Sequence, residues 1–321
     1  RIKQRENQLL NNVIVTVVLP LFCIMLAGYL VGYFKLLPTS GSTILSQFVY
    51  IIALPALAFI KLSQVPVDAF FNWPFLIVIG GGMLLTFCFS LVIAYFFFPT
   101  HLTGHALHAL SAMYSSTGYI GLPIIFLVFG ESGFVPGIIG AVITGAVFMP
   151  LAIILIEADK SGGGGKVAPC IKAMLASVLK NPVLIATALG LLVSSQSIQL
   201  ADPVVTFFEL LSGAYIPCAL FAAGLFISSC SVNGETTEIA WLVFVKLLIH
   251  PLITGWLAYE FFNLEGMLST IAVLQAALPC GVPVFVLAQH YKTFVVRSSA
   301  VIVVSTLLSL ASLSTLLIFL T

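Results

Sequence analysis

The chain has 321 residues, of which 60% are hydrophobic and 7% charged, with a formal net charge of +1. A soluble domain carries about 25% charged residues, so a water-soluble globule is excluded and no basic face points to nucleic acid. The composition is that of an all-α polytopic membrane protein lodged in a lipid bilayer, where helices satisfy their own backbone groups.

A helix crosses the hydrocarbon with about 20 apolar residues. Punctuation at charges and polar clusters predicts ten spans, at 12–34, 41–61, 72–98, 105–129, 132–156, 173–197, 204–229, 239–262, 267–290 and 297–320. The first residue is Arg rather than Met, which points to a trimmed N-terminus. The first apolar run is too long for the core of a signal peptide and is read as a true span. It carries Pro20 and Gly28; the second span carries Pro55, and the third Gly80-Gly81-Gly82, a run suited to close helix packing in a homodimer. His101, His105 and His108 flank the start of the fourth span and read as solvated histidines, with a proton-sensing cluster as the alternative. In the second half, Lys172 and Lys180 precede Asn181-Pro182, so an interfacial stretch leads into the sixth span. Glu209 lies one turn into the seventh; Lys246 and His250 share a face of the eighth, followed by Pro251. Ionisable groups inside spans are costly and functional by default. Lys246 is read either as a supporting polar residue of a site, with Glu209 a conceivable partner, or as a snorkelling side chain. Glu260 and His290 fall at span ends and read as interfacial. The six cysteines show no metal or disulfide spacing and read as small packing residues, Cys280 alone standing beside a candidate site.

The stretch from Glu157 to Pro169, with Gly162 through Gly165, reads as a flexible inner loop. It divides the chain into a first repeat (1–156), a loop (157–169) and a second repeat (170–321). Pro20, Gly28 and Pro55 stand 162 residues before Pro182, Gly190 and Pro217, and Gly121 and Pro123 stand 160 before Gly281 and Pro283. Five spans per repeat force the halves into opposite orientations, an inverted repeat. Lys35, Lys160, Lys166, Lys172, Lys180, Lys292 and Arg297 fall on one side, against Lys61, Arg1, Lys3 and Arg5. By the positive-inside bias, both termini are expected outside a plasma (inner) membrane.

The fourth span contains Tyr114-Ser115-Ser116-Thr117-Gly118 and Gly121-Leu122-Pro123, and the ninth Gln275 and Pro279-Cys280-Gly281-Val282-Pro283. Glycine and proline break helices, and paired breaks in the two halves point to a transporter's binding site. If both unwind near the midplane, free amides and helix dipoles form an anion site. Ser115, Ser116 and Thr117 add hydroxyls and Gln275 an amide, while Gly121, Pro123, Pro279, Gly281 and Pro283 shape the breaks. Ordinary proline kinks with back-bonded hydroxyls are the alternative.

Leu278-Pro-Cys-Gly-Val-Pro-Val-Phe-Val-Leu-Ala-Gln-His-Tyr291 resembles the ninth span of the auxin efflux carrier family, which includes plant PIN-FORMED proteins and bacterial malonate-type carriers. Gly121-Leu122-Pro123, Leu19-Pro20 through Gly28-Tyr29, Ala53-Leu54-Pro55-Ala56, Asn181-Pro182 and Lys246-Leu247-Leu248 are similar to that family too, so the resemblance spans the chain and points to a bacterial member. It implies ten spans in two inverted repeats, a scaffold and a transport domain, and fourth and ninth spans crossing at prolines. The family often has Asn where Ser116 stands, and Pro283 sits one residue earlier than in plant members.

No Asp lies mid-span and no carboxylates pair, which argues against a cation antiporter. The expected function is alternating-access transport of small organic anions (carboxylates, including indole acids or dicarboxylates) with no cofactor and no metal. A membrane sensor on a transporter fold, binding a lipid or other small molecule, is the competing reading. A channel would show a continuous polar stripe, and an enzyme a nucleophile–base cluster, and the spans contain neither.

Overall fold

In the computed structural model, residues 19–38, 40–98, 100–160, 175, 178–230 and 235–320 are described. The Gly-rich loop at 161–169 and the basic residues before it in the chain's first 18 positions lie outside that set. Among the described residues the chain is helical and without strands. Six helical stretches are long and apolar enough to cross a bilayer, accompanied by shorter apolar helices at Leu19–Tyr33, Pro182–Ser195 and Met267–Ala277.

The helices, in chain order, are α1 (Leu19–Tyr33), α2 (Gly41–Phe48), α3 (Leu54–Leu62), α4 (Val67–Phe70), α5 (Trp73–Phe97), α6 (Leu102–Met113), α7 (Leu122–Phe129), α8 (Phe134–Ile143) and α9 (Met149–Lys160). They continue with α10 (Pro182–Ser195), α11 (Asp202–Gly213), α12 (Tyr215–Ser229), α13 (Thr236–Phe244), α14 (His250–Trp256), α15 (Met267–Ala277), α16 (Val282–Tyr291) and α17 (Val295–Leu320).

Proline explains much of the segmentation. Pro55, Pro123, Pro150 and Pro251 each stand just after a π-helical turn, at Val49–Ala53, Thr117–Gly121, Thr144–Phe148 and Val245–Ile249. A proline lacks the amide for the i−4 bond and its ring collides with that carbonyl. Widening the preceding turn moves the carbonyl aside, so the helix bends instead of stopping. Asparagine caps open two helices: the Asn72 side chain accepts from the Phe75 amide at 3.1 Å, and that of Asn181 from the Val183 amide at 3.0 Å. Of the sixth predicted span, the helix Pro182–Ser195 is described, while positions 173, 174, 176 and 177 at its predicted start lie outside the described residues. Hydroxyls within spans turn back onto their own helix, as Thr86 does to Gly82 O at 2.8 Å and Thr144 to Gly140 O at 2.6 Å. That is the least costly arrangement where water is absent.

Packing sorts the helices into two groups. In the first, α1 lies along α12, and α3 against α10 and α11; in the second, α5 packs on α6 and α14, α9 on α6, α14 on α15, and α13 and α16 on α17. The third-span glycine run serves this intramolecular packing: a Cβ at Gly82 would lie 2.4 Å from the Thr254 hydroxyl.

A polar network ties together ends of the second group. Thr103 donates to Asp159 at 2.6 Å, and Tyr291 to Glu157 at 2.6 Å, with Lys160 stacked 4.3 Å from the Tyr291 ring. His108 Nδ1 lies 2.7 Å from Glu238, whose second oxygen is 3.0 Å from Arg297. This corrects the reading of the histidines. His101 is exposed, but His105 is 7% and His108 1% exposed, because the helix that carries them is enclosed on all sides.

Candidate functional site

The site forms where two interrupted helices meet. The fourth predicted span is helical to Met113, extended at Tyr114, and helical again from the π turn that begins at Thr117. The break falls on Ser115 and Ser116, well before Pro123. Serine side chains compete for backbone groups and favour non-helical conformations, whereas Pro123 sits in the first turn of α7 and its effect is absorbed by the π turn. The ninth span is helical to Ala277 and again from Val282. Leu278 precedes Pro279 and is extended with ψ 151°, as the steric demand of a following proline requires. Pro283, like Pro123, stands in a first helical turn.

The two extended segments cross antiparallel. The Ser116 amide donates to Pro279 O at 2.8 Å, and the Gly281 amide to Tyr114 O at 3.1 Å. The Cys280 amide donates to Ser305 Oγ of α17 at 3.1 Å. Close approach explains both glycines. A Cβ at Gly281 would lie 2.8 Å from the Tyr114 ring, and one at Gly121 2.3 Å from a Leu278 methyl. These three amides are engaged with protein acceptors, so the anion site expected from free amides needs another source of positive charge.

Lys246 is that source. It lies in the π turn ahead of His250, and none of it is exposed. Its Nζ donates to Ser115 Oγ at 2.9 Å and to Ala276 O at 2.6 Å, and lies 3.1 Å from His250 Nδ1. Its polar neighbours are thus a hydroxyl, a carbonyl and an imidazole nitrogen, with no carboxylate among them. Among the described residues no ion pair reaches Lys246. A buried cation without a counter-ion is costly, and it stands beside the crossing.

Hydroxyls of the broken fourth span lie at or next to the crossing. Ser115 accepts from Lys246 and has its own proton free among the described contacts. Thr117 Oγ1 is buried without a partner. Ser116, Cys280 and Thr306 line a void of about 10 Å³, roughly enough for one water.

Ser115, Ser116, Thr117, Pro279, Gly281, Lys246 and His250 are therefore brought together. Gln275 is turned elsewhere: its Nε2 donates to Pro136 O at 2.8 Å and Gly137 O at 3.2 Å, binding α15 to α8. Glu209 makes no ion pair with Lys246. It lines a separate cavity with Lys61, because α11 belongs to the other group of helices. Sequence reasoning did not find the Ala276 carbonyl or the Ser305 hydroxyl as members of the crossing. A carbonyl has no sequence signal, and Ser305 is one of many serines in α17.

A family model described as membrane transport protein matches residues 13–317. The chain belongs to this family, the auxin efflux carriers. This membrane transport protein is thus an integral, multi-pass carrier-family member and not an enzyme. It is 29% identical over 306 residues to a Rhizobium meliloti (strain 1021) protein named "Putative malonate transporter", covering 94% of this chain and 93% of that one. It is 27% identical over 296 residues to the Escherichia coli (strain K12) protein named "Uncharacterized transporter YfdV", covering 90% and 92%. A Methanothermobacter thermautotrophicus protein named "Uncharacterized transporter" is 26% identical over 300 residues, covering 92% and 95%.

Proposed function

We propose that this membrane transport protein is a secondary carrier of small organic anions that binds its substrate at the helix crossing and works by alternating access. The observation that carries the reading is Lys246: a fully buried cation, bonded only to neutral groups, beside a break in two helices. A carboxylate supplies the missing counter-charge. Ser115, Ser116 and Thr117 supply further donors, while Gly121, Gly281, Pro279, Pro123 and Pro283 shape the backbone around it. The relative named for malonate transport supports a carboxylate cargo.

The proposed architecture is ten spans in two inverted repeats, 1–156 and 170–321, joined by an inner loop at 157–169. Packing supports it at a specific pair of positions. A Cβ at Gly28 would lie 2.2 Å from Phe221 O, and a Cβ at Gly190 2.8 Å from Phe59 O. Gly28 and Gly190 are repeat mates, and Phe59 and Phe221 stand at the same 162-residue offset. The first span thus meets the seventh as the sixth meets the second, the relation an inverted duplication demands. The proposed orientation places both termini outside the plasma membrane. Lys61 and Glu131 then sit at the outer end, and Asp159, Glu157, Glu238 and Arg297 at the inner end.

The test is uptake of labelled malonate and a panel of mono- and dicarboxylates by proteoliposomes holding the full chain. Saturable flux that is inhibited by acids and not by their neutral esters is expected. Esters that compete as well as the acids overturn the anion site. Saturable binding with no flux of any anion would favour a sensor instead.

A further inference from the structure

The three neighbours of Lys246 suit two protonation states. An ammonium group can donate to Ser115 Oγ, Ala276 O and His250 Nδ1, at 2.9, 2.6 and 3.1 Å. A neutral amine keeps two N–H donors, for the hydroxyl and the carbonyl, and its lone pair can accept from an N–H at Nδ1. Imidazole supplies either role, because its proton can sit on either ring nitrogen. The same geometry therefore holds with one proton more or one fewer.

Charge gives the two states a use. The turn bearing Lys246 packs against α5, α6, α13, α14, α15 and α17. Their ionisable side chains are Cys88 and Tyr95 on α5, His105 and His108 on α6, Glu238 on α13, His250 on α14 and Arg297 on α17, while α15 has none. The extended segments add Tyr114 and Cys280. Glu238 is the one carboxylate in this set, and it is held by His108 and Arg297. A charge on Lys246 is thus matched only while an anion is bound. An isolated buried charge is far more costly than a hydrogen-bonded neutral group, so the amine suits the empty crossing and the ammonium the loaded one.

A polar line leads from this lysine to the end of the second group. Glu238, Leu242 and Lys246 follow at four-residue intervals on α13 and its π turn, and so share a face. His108, Ser111 and Ser115 follow at three and four on α6 and the residues after it. The two faces meet at both ends, His108 Nδ1 with Glu238 at 2.7 Å and Ser115 Oγ with Lys246 at 2.9 Å. Eight residues of helix separate Glu238 from Lys246, about 12 Å. Ser111 stands buried between the two meetings. His108 Nε2 is buried without a partner among the described residues, and the part-exposed Arg297 joins Glu238 to the surface.

We propose that Lys246 and His250 form a single-proton site that couples anion transport to proton transport, and that His108 and Glu238 pass the proton to the inner end. A proton from water on the loading side adds to the Nζ lone pair as the carboxylate arrives. Ammonium and carboxylate then change sides together. Once the anion has left, an Nζ–H bond breaks, the electron pair stays on nitrogen, and the proton returns to water by way of His108 and Glu238. The amine resets the empty carrier. One proton moves with each anion, in the same direction. The inference rests on the organic-anion carrier reading and adds the coupling ion to it.

The test uses proteoliposomes holding the full chain, with the membrane voltage clamped at zero, labelled malonate outside and a pH-sensitive dye in the lumen. External pH stays fixed, so the ionic form of malonate on offer does not change. A lumen about one pH unit more alkaline than the outside should raise malonate accumulation about ten-fold, the ratio set by one co-transported proton. Malonate should also acidify the lumen beyond the level in protein-free vesicles. Lys246→Arg cannot give up its proton, so net uptake should fall at least about ten-fold, while exchange of external labelled for internal unlabelled malonate persists. His108→Gln should slow net uptake and acidification several-fold and retain exchange. Saturable uptake that ignores lumen pH and leaves it unchanged overturns the coupling, and the carrier stands. Proton-coupled net uptake by Lys246→Arg places the proton elsewhere and overturns the assignment. If Lys246→Arg does not fold, His108→Gln decides, because net uptake equal to wild type overturns the path. Absence of saturable malonate flux in the wild type removes the carrier reading and this inference with it.

Discussion

Replacing Lys246 with Met separates transport from folding in an unusual way. Methionine has similar length and fills the same space, so packing in the enclosed turn is largely kept. Membrane insertion should improve, since a lysine at a helix centre costs about 2.5–3.5 kcal/mol on insertion. Against this, Ser115 Oγ, Ala276 O and His250 Nδ1 all lose the donor that now reaches them at 2.6–3.1 Å. Leaving a buried acceptor unsatisfied costs about 1–3 kcal/mol, so the folded protein should melt earlier in detergent although more of it reaches the membrane. A hydrogen bond from a charged donor to the bound carboxylate is worth about 1.5–3 kcal/mol, which is roughly a 10- to 150-fold rise in half-saturation concentration. The assay is initial uptake of labelled malonate across a concentration range in proteoliposomes matched for incorporated protein. Unchanged half-saturation and rate in Lys246→Met would refute the role assigned to the lysine, whatever its effect on melting.

Thr117→Val removes a buried hydroxyl that has no partner among the described residues; its melting temperature should hold or rise while substrate half-saturation increases, and equal half-saturation would remove Thr117 from the site. Gly281→Ala should destabilise by about 1–3 kcal/mol, because the new methyl lies 2.8 Å from the Tyr114 ring; a denaturation midpoint equal to wild type would show that the two segments are not held so closely. Glu238→Gln removes a carboxylate, 1% exposed, set between His108 and the part-exposed Arg297; losing a hydrogen bond to a charged group costs about 1.5–3 kcal/mol, and a shift below about 0.5 kcal/mol in chemical denaturation would contradict the pairing.

The breaks were legible because glycine and proline act through the backbone, and their effect does not depend on what surrounds them. Gly28 and Gly190 act through the backbone too, since each must admit a neighbouring carbonyl. The position of the fourth-span break was not legible. The Gly121-Leu122-Pro123 string attracts attention, yet a π turn absorbs that proline, and the chain unwinds at the serines instead. Side-chain partners were also hidden. In a soluble helix the apolar face tells which side is inward, but here nearly every position is apolar and that guide is lost. Glu238 lies 130 residues from His108, and nothing in either segment marks the other. A Glu209–Lys246 pair was conceivable by charge but not derivable from sequence, and helix grouping keeps the two apart, Glu209 lining the cavity beside Lys61 and Lys246 lying at the crossing.

The three contacts of Lys246 also set an order of events during synthesis. Counted from Lys246, Ser115 is made 131 residues earlier, His250 four residues later, and Ala276 thirty residues later. When the segment bearing Lys246 leaves the ribosome, the carbonyl that will hold it at 2.6 Å has not yet emerged. His250, on the same helix, emerges almost with it and can accept its proton donor at once. The segment can therefore enter the lipid with its ammonium partly sheltered, and wait there until the following segment arrives. On this view the imidazole is a temporary host during biogenesis as well as a neighbour in the finished protein, and its loss would first show as a delay in assembly.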